Sequence, residues 1–445
     1  MKELDLLEIS RKAIDIALKE GAEQVDVYAS DARIFSIDIE KSGIKSVDVV
    51  RDRGIGIRAY VKGGLGFSST QKLDLESVIK MAKRAVKQAK QAEPDPDFVS
   101  LPGPQKVPKV QELCDVEIVN MKIEDLIELV KIMIESAKVV KDIVVNGNAS
   151  CIYGKRIIVN SLGIEVEEEV TGINFSSFCI VRRNDDVGSF YEMDAGRRLK
   201  DVNPSEVGKR AGEGALSFLG ARKIETKSMP VILNYLPSFS FISSILRALN
   251  AESIQRKRSF MIHTLSKQVA PEFLTVYDDG TIRAGLRSST YDGEGVPKRR
   301  ILVIEKGIVK TYLHNSYTAN KDKVENNACA IRTYSGIPGI SPSNIQIERG
   351  TWSLNEMIED VREGIFIKTG YIIPDPITGN ISMTIDFGFK IENGELAYPV
   401  KGALIGGLVI QWLRNIDAIS KEYREEPGNI MPAIRIKNVR IAGAK

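Results

Sequence analysis

Histidine is nearly missing from this chain: 445 residues carry two, His263 and His314, far apart and in no HExxH-like pair. A catalytic zinc ordinarily takes three protein ligands, with histidine the commonest, so each histidine reads as a surface or hydrogen-bonded structural residue. Cysteine is sparse as well. Cys114, Cys151, Cys179 and Cys329 include no CxxC pair, and a chain of this length needs no disulfide framework. Long apolar runs are missing too. The longest, Ala403 to Ile410, has eight residues, against roughly 18 for a membrane-spanning helix. The opening Met1-Lys2-Glu3-Leu4-Asp5 lacks the apolar core of a secretory signal. The expectation is a soluble, cytoplasmic protein with no membrane partner.

Nor is there a strong excess of either charge. The formal net charge is +3, and nucleic-acid binders concentrate Lys and Arg into stripes. The densest basic runs, Arg256-Lys257-Arg258 and Lys298-Arg299-Arg300, are three residues each and read as solvated surface. No GxSxG elbow and no Walker A lysine motif occurs. Gly54-Ile55-Gly56-Ile57-Arg58-Ala59 spells a dinucleotide fingerprint, but that motif works only where a strand turns into a helix. Here Ile55, Ile57, Ala59 and Val61 alternate as a strand, with Arg58, Tyr60 and Lys62 on its other side.

The remaining composition, 43% hydrophobic and 27% charged, is that of a soluble globular protein with more than one core. Spacing predicts a helix over 6–19, an extended run to about residue 70 punctuated by Gly43, Gly54 and Gly63-Gly64, then a helix from Leu75 to Ala92. The pattern is a helix, four or five short strands and a helix. Five prolines between Pro94 and Pro108 mark a linker. The order then repeats: a helix from Ile123 to Ala137, extended segments from 143 to 191, and a helix to Leu219 capped by Asn203 and started by Pro204. Leu162-Gly163-Ile164 echoes Ser42-Gly43-Ile44, and Arg156-Ile157 echoes Arg33-Ile34, which suggests an internal duplication. Beyond Met229 the texture is mostly β. Strands are expected at 230–233, 300–305, 388–392 and 433–442, with Asn393-Gly394 as a hairpin turn and helices at 239–256, 353–363 and 402–416. The fold class is α+β. The expected units are 1–93, a linker over 94–121, a second unit over 122–225, and a β-rich C-terminal domain over 226–445.

Few residues recommend themselves for chemistry. Asp292-Gly293-Glu294-Gly295 puts two carboxylates in a glycine-rich turn, able to hold a hard cation or a peptide amine, or simply to form an acidic loop. Glu252 reads as an exposed residue on a helix face.

The stretch Arg256-Lys257-Arg258-Ser259-Phe260, with Pro271-Glu272-Phe273-Leu274-Thr275, Asp292-Gly293-Glu294-Gly295-Val296-Pro297 and Asn315-Ser316-Tyr317-Thr318-Ala319, resembles the TldD/PmbA family, often labelled modulators of DNA gyrase. The resemblance continues through Pro376-Ile377-Thr378-Gly379 and Ile391-Glu392-Asn393-Gly394-Glu395, and reaches back to Gly54 and Gly56. It implies two kinds of related subunit. TldD-type chains bind zinc through HExxxH on a C-terminal-domain helix and cleave unstructured peptides; TldE-type chains lack the ligands and pair with them. Counted back from Arg256-Lys257, the motif falls on Ser243 to Ala248, which reads Ser-Ser-Ile-Leu-Arg-Ala. The degenerate positions are Ser243, Ser244 and Ala248. The resemblance therefore implies a TldE-type chain with no catalytic or metal-binding residue of its own, zinc residing in a TldD-type partner, and unfolded peptide as the shared substrate. Asp292, Glu294, Asn315 and Tyr317 are candidates for the peptide cleft or its rim. The alternatives are a stand-alone homodimeric peptide-binding scaffold and a modulator of DNA gyrase; near-neutral charge disfavours any nucleic-acid role.

Overall fold

The structure is a computed structural model and describes residues 5–443. The N-terminal half begins with α1 (Leu6–Lys19), which Asp5 caps by accepting a hydrogen bond from the Leu7 amide. Three antiparallel strands follow, β1 (Gln24–Glu40), β2 (Gly43–Val61) and β3 (Gly64–Thr70), and then α2 (Leu75–Gln91). Three long strands thus replace the four or five short ones expected. Gly54 and Gly56 do not end a strand. They lie inside β2, where a Cβ at either would strike Tyr334, the ring at one and the carbonyl at the other. Their role is close approach, which sequence cannot distinguish from a turn.

After the proline-rich stretch come α3 (Val116–Asn120), α4 (Ile123–Ala137), β4 (Ile143–Asn160), β5 (Glu165–Arg183), β6 (Asp186–Gly196) and α5 (Pro204–Ser217). Asn203 caps α5, with Pro204 in its first turn. The six strands form one sheet in the order β3-β2-β1-β4-β5-β6. β1 and β4 pair antiparallel at the seam, from Asp26↔Asn160 to Ile39↔Gly147. A duplicated unit gives this arrangement when its copies join by their first strands, and the echoed glycine turns fall at the matching hairpins β1–β2 and β4–β5. Each half carries its own helices and apolar core. Ile9, Ala13, Val27, Ile57 and Val78 build one; Ile37, Leu126, Val130, Phe175 and Ala211 build the other. Gly208 and Gly212 let α5 lie against the carbonyls of Met133 and Ala137 at the end of α4.

The C-terminal half is a large mixed sheet with short helices. Its elements begin with β7 (Lys227–Leu233), α6 (Tyr235–Ala248), α7 (Ala251–Gln255), β8 (Val276–Asp279), β9 (Arg300–Glu305), β10 (Ile308–Val309) and α8 (Ser316–Asp322). Next are β11 (Ala330–Ile331), β12 (Gly339–Ile340), β13 (Asn344–Ile347), α9 (Leu354–Glu359), β14 (Glu363–Ile367), β15 (Asn380–Thr384), β16 (Gly388–Glu392) and β17 (Glu395–Pro399). The last four are β18 (Ala403–Leu408), α10 (Val409–Arg414), β19 (Ile416–Glu426) and β20 (Asn429–Gly443). The strands run β10-β9-β8-β13-β20-β7-β14-β16-β17, with β15, β18 and β19 attached beside β20.

Asn393-Gly394 makes the β16–β17 hairpin as expected. The helix expected over 402–416 is instead a strand followed by a short helix: Gly406-Gly407 weakens helix, and β18 pairs with both β15 and β20. The helix expected over 353–363 ends at Glu359. The one expected over 239–256 is two. α6 starts earlier because Pro237 fits its first turn, and it stops where Asn250 caps α7 by accepting from the Glu252 and Ser253 amides. No helix among the described residues is long and apolar enough to cross a membrane.

Candidate functional site

Buried residues recur along α6 at Ser238, Phe241, Ile242, Ile245 and Leu246, the three- and four-residue spacing of an amphipathic helix. That face packs into the domain core, with Phe241 against Trp412 at 5.7 Å between ring centroids. The opposite face, Phe239, Ser240, Ser243, Ser244, Arg247 and Ala248, lines a cleft of about 440 Å³. Tyr371, Ile372, Ile373, Pro374 and Pro376 form the facing wall, with Ser253, Arg258 and Phe260 also lining it. Ser240 ties the walls together: its hydroxyl donates to the Ile372 carbonyl at 3.1 Å and accepts from the Ile372 amide at 3.0 Å. Ser244 donates back to the Phe241 carbonyl at 2.6 Å. The three degenerate motif positions thus meet in one cleft, on a helix that places them side by side.

The cleft does not suit a metal ion. Its polar donors are hydroxyls and two guanidinium groups, and Arg247 and Arg258 would repel a cation. Among the described residues no group of three or more His, Cys, Asp or Glu is placed to hold one. His263 is exposed, and His314 is buried with Nδ1 unpartnered and its pKa lowered by burial. Nucleophilic thiolate chemistry has no support either. Burial pushes Cys151 and Cys179 up to about 11 and raises Cys329 well above its ordinary value, which keeps these thiols protonated and inert. What the cleft offers is a largely apolar trough edged by the cationic side chains of Arg247 and Arg258.

The four rim candidates lie elsewhere. Asp292, Glu294 and Asn315 are buried at the join between the N-terminal sheet and the C-terminal domain, and their hydrogen-bonding capacity is taken up inside the protein. Asp292 accepts from the amides of Glu294, Val296 and Ala330. Glu294 accepts from Arg58 at 3.0 Å and from the Ser316 amide at 2.8 Å. Asn315 caps α8 through the Thr318 amide. Tyr317 is half-buried beside Asp95 of the proline-rich stretch. The Asp-Gly-Glu-Gly turn is therefore an acidic loop, with Gly295 at positive φ, buried at the joint. A larger, shallow hollow of about 790 Å³ around Asp360, Asp417 and Arg435 is spanned by its own ion pairs.

Around that joint runs a charge network that the sequence reading missed. Arg58 pairs with Asp26 at 2.6 Å and with Glu294, while Arg332 reaches the same Asp26 at 2.8 Å. Burial pushes the Asp26 pKa up, but the charges of Arg332 and Arg58 outweigh it and hold the group below its ordinary value. Arg156 pairs with Glu168 and bonds Ser289, and Arg197 donates to the carbonyls of Thr171, Gly285, Leu286 and Ser288. Arg58 is buried, so its strand is covered on both faces, against the expected polar side. Lys298 is likewise buried, donating at 2.8 Å to the Ala328 carbonyl and the Ser343 hydroxyl; reading its run as solvated surface fails at this residue, whereas Arg299 is half-buried and Arg300 exposed. The one available signal was Asp26 within Val25–Tyr28, a charge facing inward from an apolar strand.

Comparison with known proteins fits this architecture. Residues 25–89, 117–219 and 226–443 match, in turn, the family profiles described as PmbA/TldA metallopeptidase domain 1, central domain and C-terminal domain. A metalloprotease of Methanocaldococcus jannaschii is 28% identical over 425 residues, covering 92% of each chain. Metalloprotease PmbA of Escherichia coli O157:H7 is 25% identical over 463 residues, covering 100% of this chain and 99% of its own. The crystal structure of TldE from Thermococcus kodakarensis superposes with a TM-score of 0.88 at 25% identity, covering 98% of this chain and all of that one. The fold is shared by a Thermotoga maritima protein described as a putative modulator of a DNA gyrase, with a TM-score of 0.87 at 24% identity and the same coverage. From its first strand to its last, this chain belongs to the PmbA/TldD metallopeptidase family.

Proposed function

We propose that this chain is the non-catalytic, TldE-type subunit of a metallopeptidase complex, holding unfolded peptide beside a zinc-bearing TldD-type partner. The observation that carries this reading is the cleft-facing side of α6, where Ser243, Ser244 and Ala248 stand at the positions the resemblance gives to ligands and Arg247 stands among them. None of these side chains can lower the pKa of a bound water or polarise a carbonyl as a metal does. The facing wall, Tyr371 to Pro376, leaves Ile373 and Tyr371 exposed, apolar surface that an extended peptide would cover.

The test is co-expression with a TldD-type chain. The pair should co-purify and degrade an unfolded peptide in a zinc-dependent way, while this chain alone should leave the peptide intact. Peptide cleavage by the isolated chain with its own bound metal would sink the assignment. Size measurement with and without the partner distinguishes a stand-alone homodimer, which would ignore it.

A further inference from the structure

Between the N-terminal sheet and the C-terminal domain lies a second cavity, of about 370 Å³. Tyr28, Arg156 and Arg197 line it from the sheet side; the 286–298 and 330–343 segments line it from the other. Its wall carries five cationic side chains, and one buried donor among them is unmatched. The Arg332 side chain is fully buried: Nη1 donates to Asp26 at 2.8 Å and Nε reaches the Gly336 carbonyl at 3.4 Å, yet Nη2 has no partner among the described residues. Native proteins rarely leave a buried donor unmatched, because taking it out of water without a partner is costly.

The neighbouring cations have capacity to spare. Lys298 uses two of its three N–H groups, on Ala328 and Ser343. Arg156 donates through Nε and Nη2 to Glu168 and Ser289 and lies over the Tyr291 ring, bringing a further positive charge to the wall. Arg287, more exposed, lines the same cavity and forms no ion pair among the described residues. Acceptors are scarce. Asp292 is the one carboxylate on the lining, and three backbone amides already occupy it. A cation placed here would face guanidinium groups, and an apolar ligand would leave the buried donor unmatched. An oxyanion satisfies both requirements, and guanidinium groups bind phosphate and carboxylate with particular geometric fit.

We propose that this cavity is a binding site for a small oxyanion, a phosphate or a carboxylate group, held by Arg332, Arg156, Lys298 and Arg287. It is separate from the α6 cleft, so its failure would leave the subunit assignment standing.

The experiment uses the full chain in phosphate-free buffer, titrated calorimetrically with sodium phosphate and with sodium malonate, and followed in parallel by thermal melting against sodium chloride at equal ionic strength. At least one oxyanion should bind saturably at one site per chain and raise Tm beyond the chloride control. Saturation by phosphate alone assigns a phosphoryl ligand; saturation by malonate alone assigns a carboxylate. Arg332→Lys keeps a cation for Asp26 but removes Nη2, and should weaken binding at least tenfold. Because that variant could fold poorly, Arg287→Ala, at an exposed position, provides a second reading and should weaken binding at least threefold with an unchanged circular dichroism spectrum. The proposal is overturned if neither anion saturates, if chloride raises Tm equally, or if a well-folded Arg287→Ala binds as tightly as the wild-type chain.

Discussion

Asp278 and Asp292 both feel the charge of Lys298, yet burial raises each of them to about 6. Their folded-state values exceed the ordinary carboxylate value, so the folded protein binds their protons more tightly than the unfolded chain. Each contribution to stability is therefore fully present below about pH 4, where both states are protonated, and is lost as pH rises through about 6. Asp26, held low by Arg332 and Arg58, works in the opposite sense and loses its contribution as pH falls. Asp278→Asn keeps an acceptor for the Ser343 amide, which Asp278 now engages at 2.7 Å. Its stability relative to wild type should improve between pH 4 and 7 by about 2 kcal/mol, read from denaturant melts across that range; parallel wild-type and variant curves would contradict the buried-carboxylate assignment. Glu294→Ala should act the other way. It strips Arg58 of one partner and the Ser316 amide of its acceptor, and should cost about 3–5 kcal/mol at neutral pH.

Along single elements, Gly56 carries the clearest steric demand. An added methyl would meet the Tyr334 carbonyl, backbone that cannot swing away. Gly56→Ala should lower stability by about 1–3 kcal/mol, whereas Gly103→Ala, with open space around it, should change the melting temperature little. Helix positions were legible because α1, α2, α4 and α5 each bury one stripe and carry caps or first-turn signals readable in one dimension. Strand lengths were less legible. β2 runs from Gly43 to Val61 through two glycines whose meaning lies in Tyr334, distant in sequence. The strand β18 was read as helix because an apolar run satisfies either period, and only its pairing with β15 and β20 decides. The sequence placed Ser243, Ser244 and Ala248 on a helix through the family resemblance, but that they line a cleft is visible only in the fold, because the facing wall, Tyr371 to Pro376, is remote in sequence. The buried Arg58–Asp26–Arg332 network could not be read from the sequence, because Asp26 and Arg58 meet through the cross-strand register of β1 and β2 and Arg332 reaches them only when the C-terminal domain docks.

At the scale of the whole molecule, that network is one of the buried polar contacts that join the N-terminal sheet to the C-terminal domain, beside the Arg156–Ser289 and Arg197 hydrogen bonds. Asp26→Ala leaves Arg58 and Arg332 buried with less compensation. Differential scanning calorimetry should then show the two halves melting in separate steps, where the wild-type chain melts in one. A single, merely lowered transition in the variant would mean that other contacts couple the halves.

The seam between β1 and β4 sets a limit on how the chain can be divided. Severed within the proline-rich stretch, each N-terminal fragment would expose a full row of unpaired amides and carbonyls along its longest pairing edge. Such an edge recruits whatever strand it meets, so separately expressed fragments would reassociate with each other or clump with their own copies. Truncation mapping of this protein therefore has to keep residues 5–219 intact.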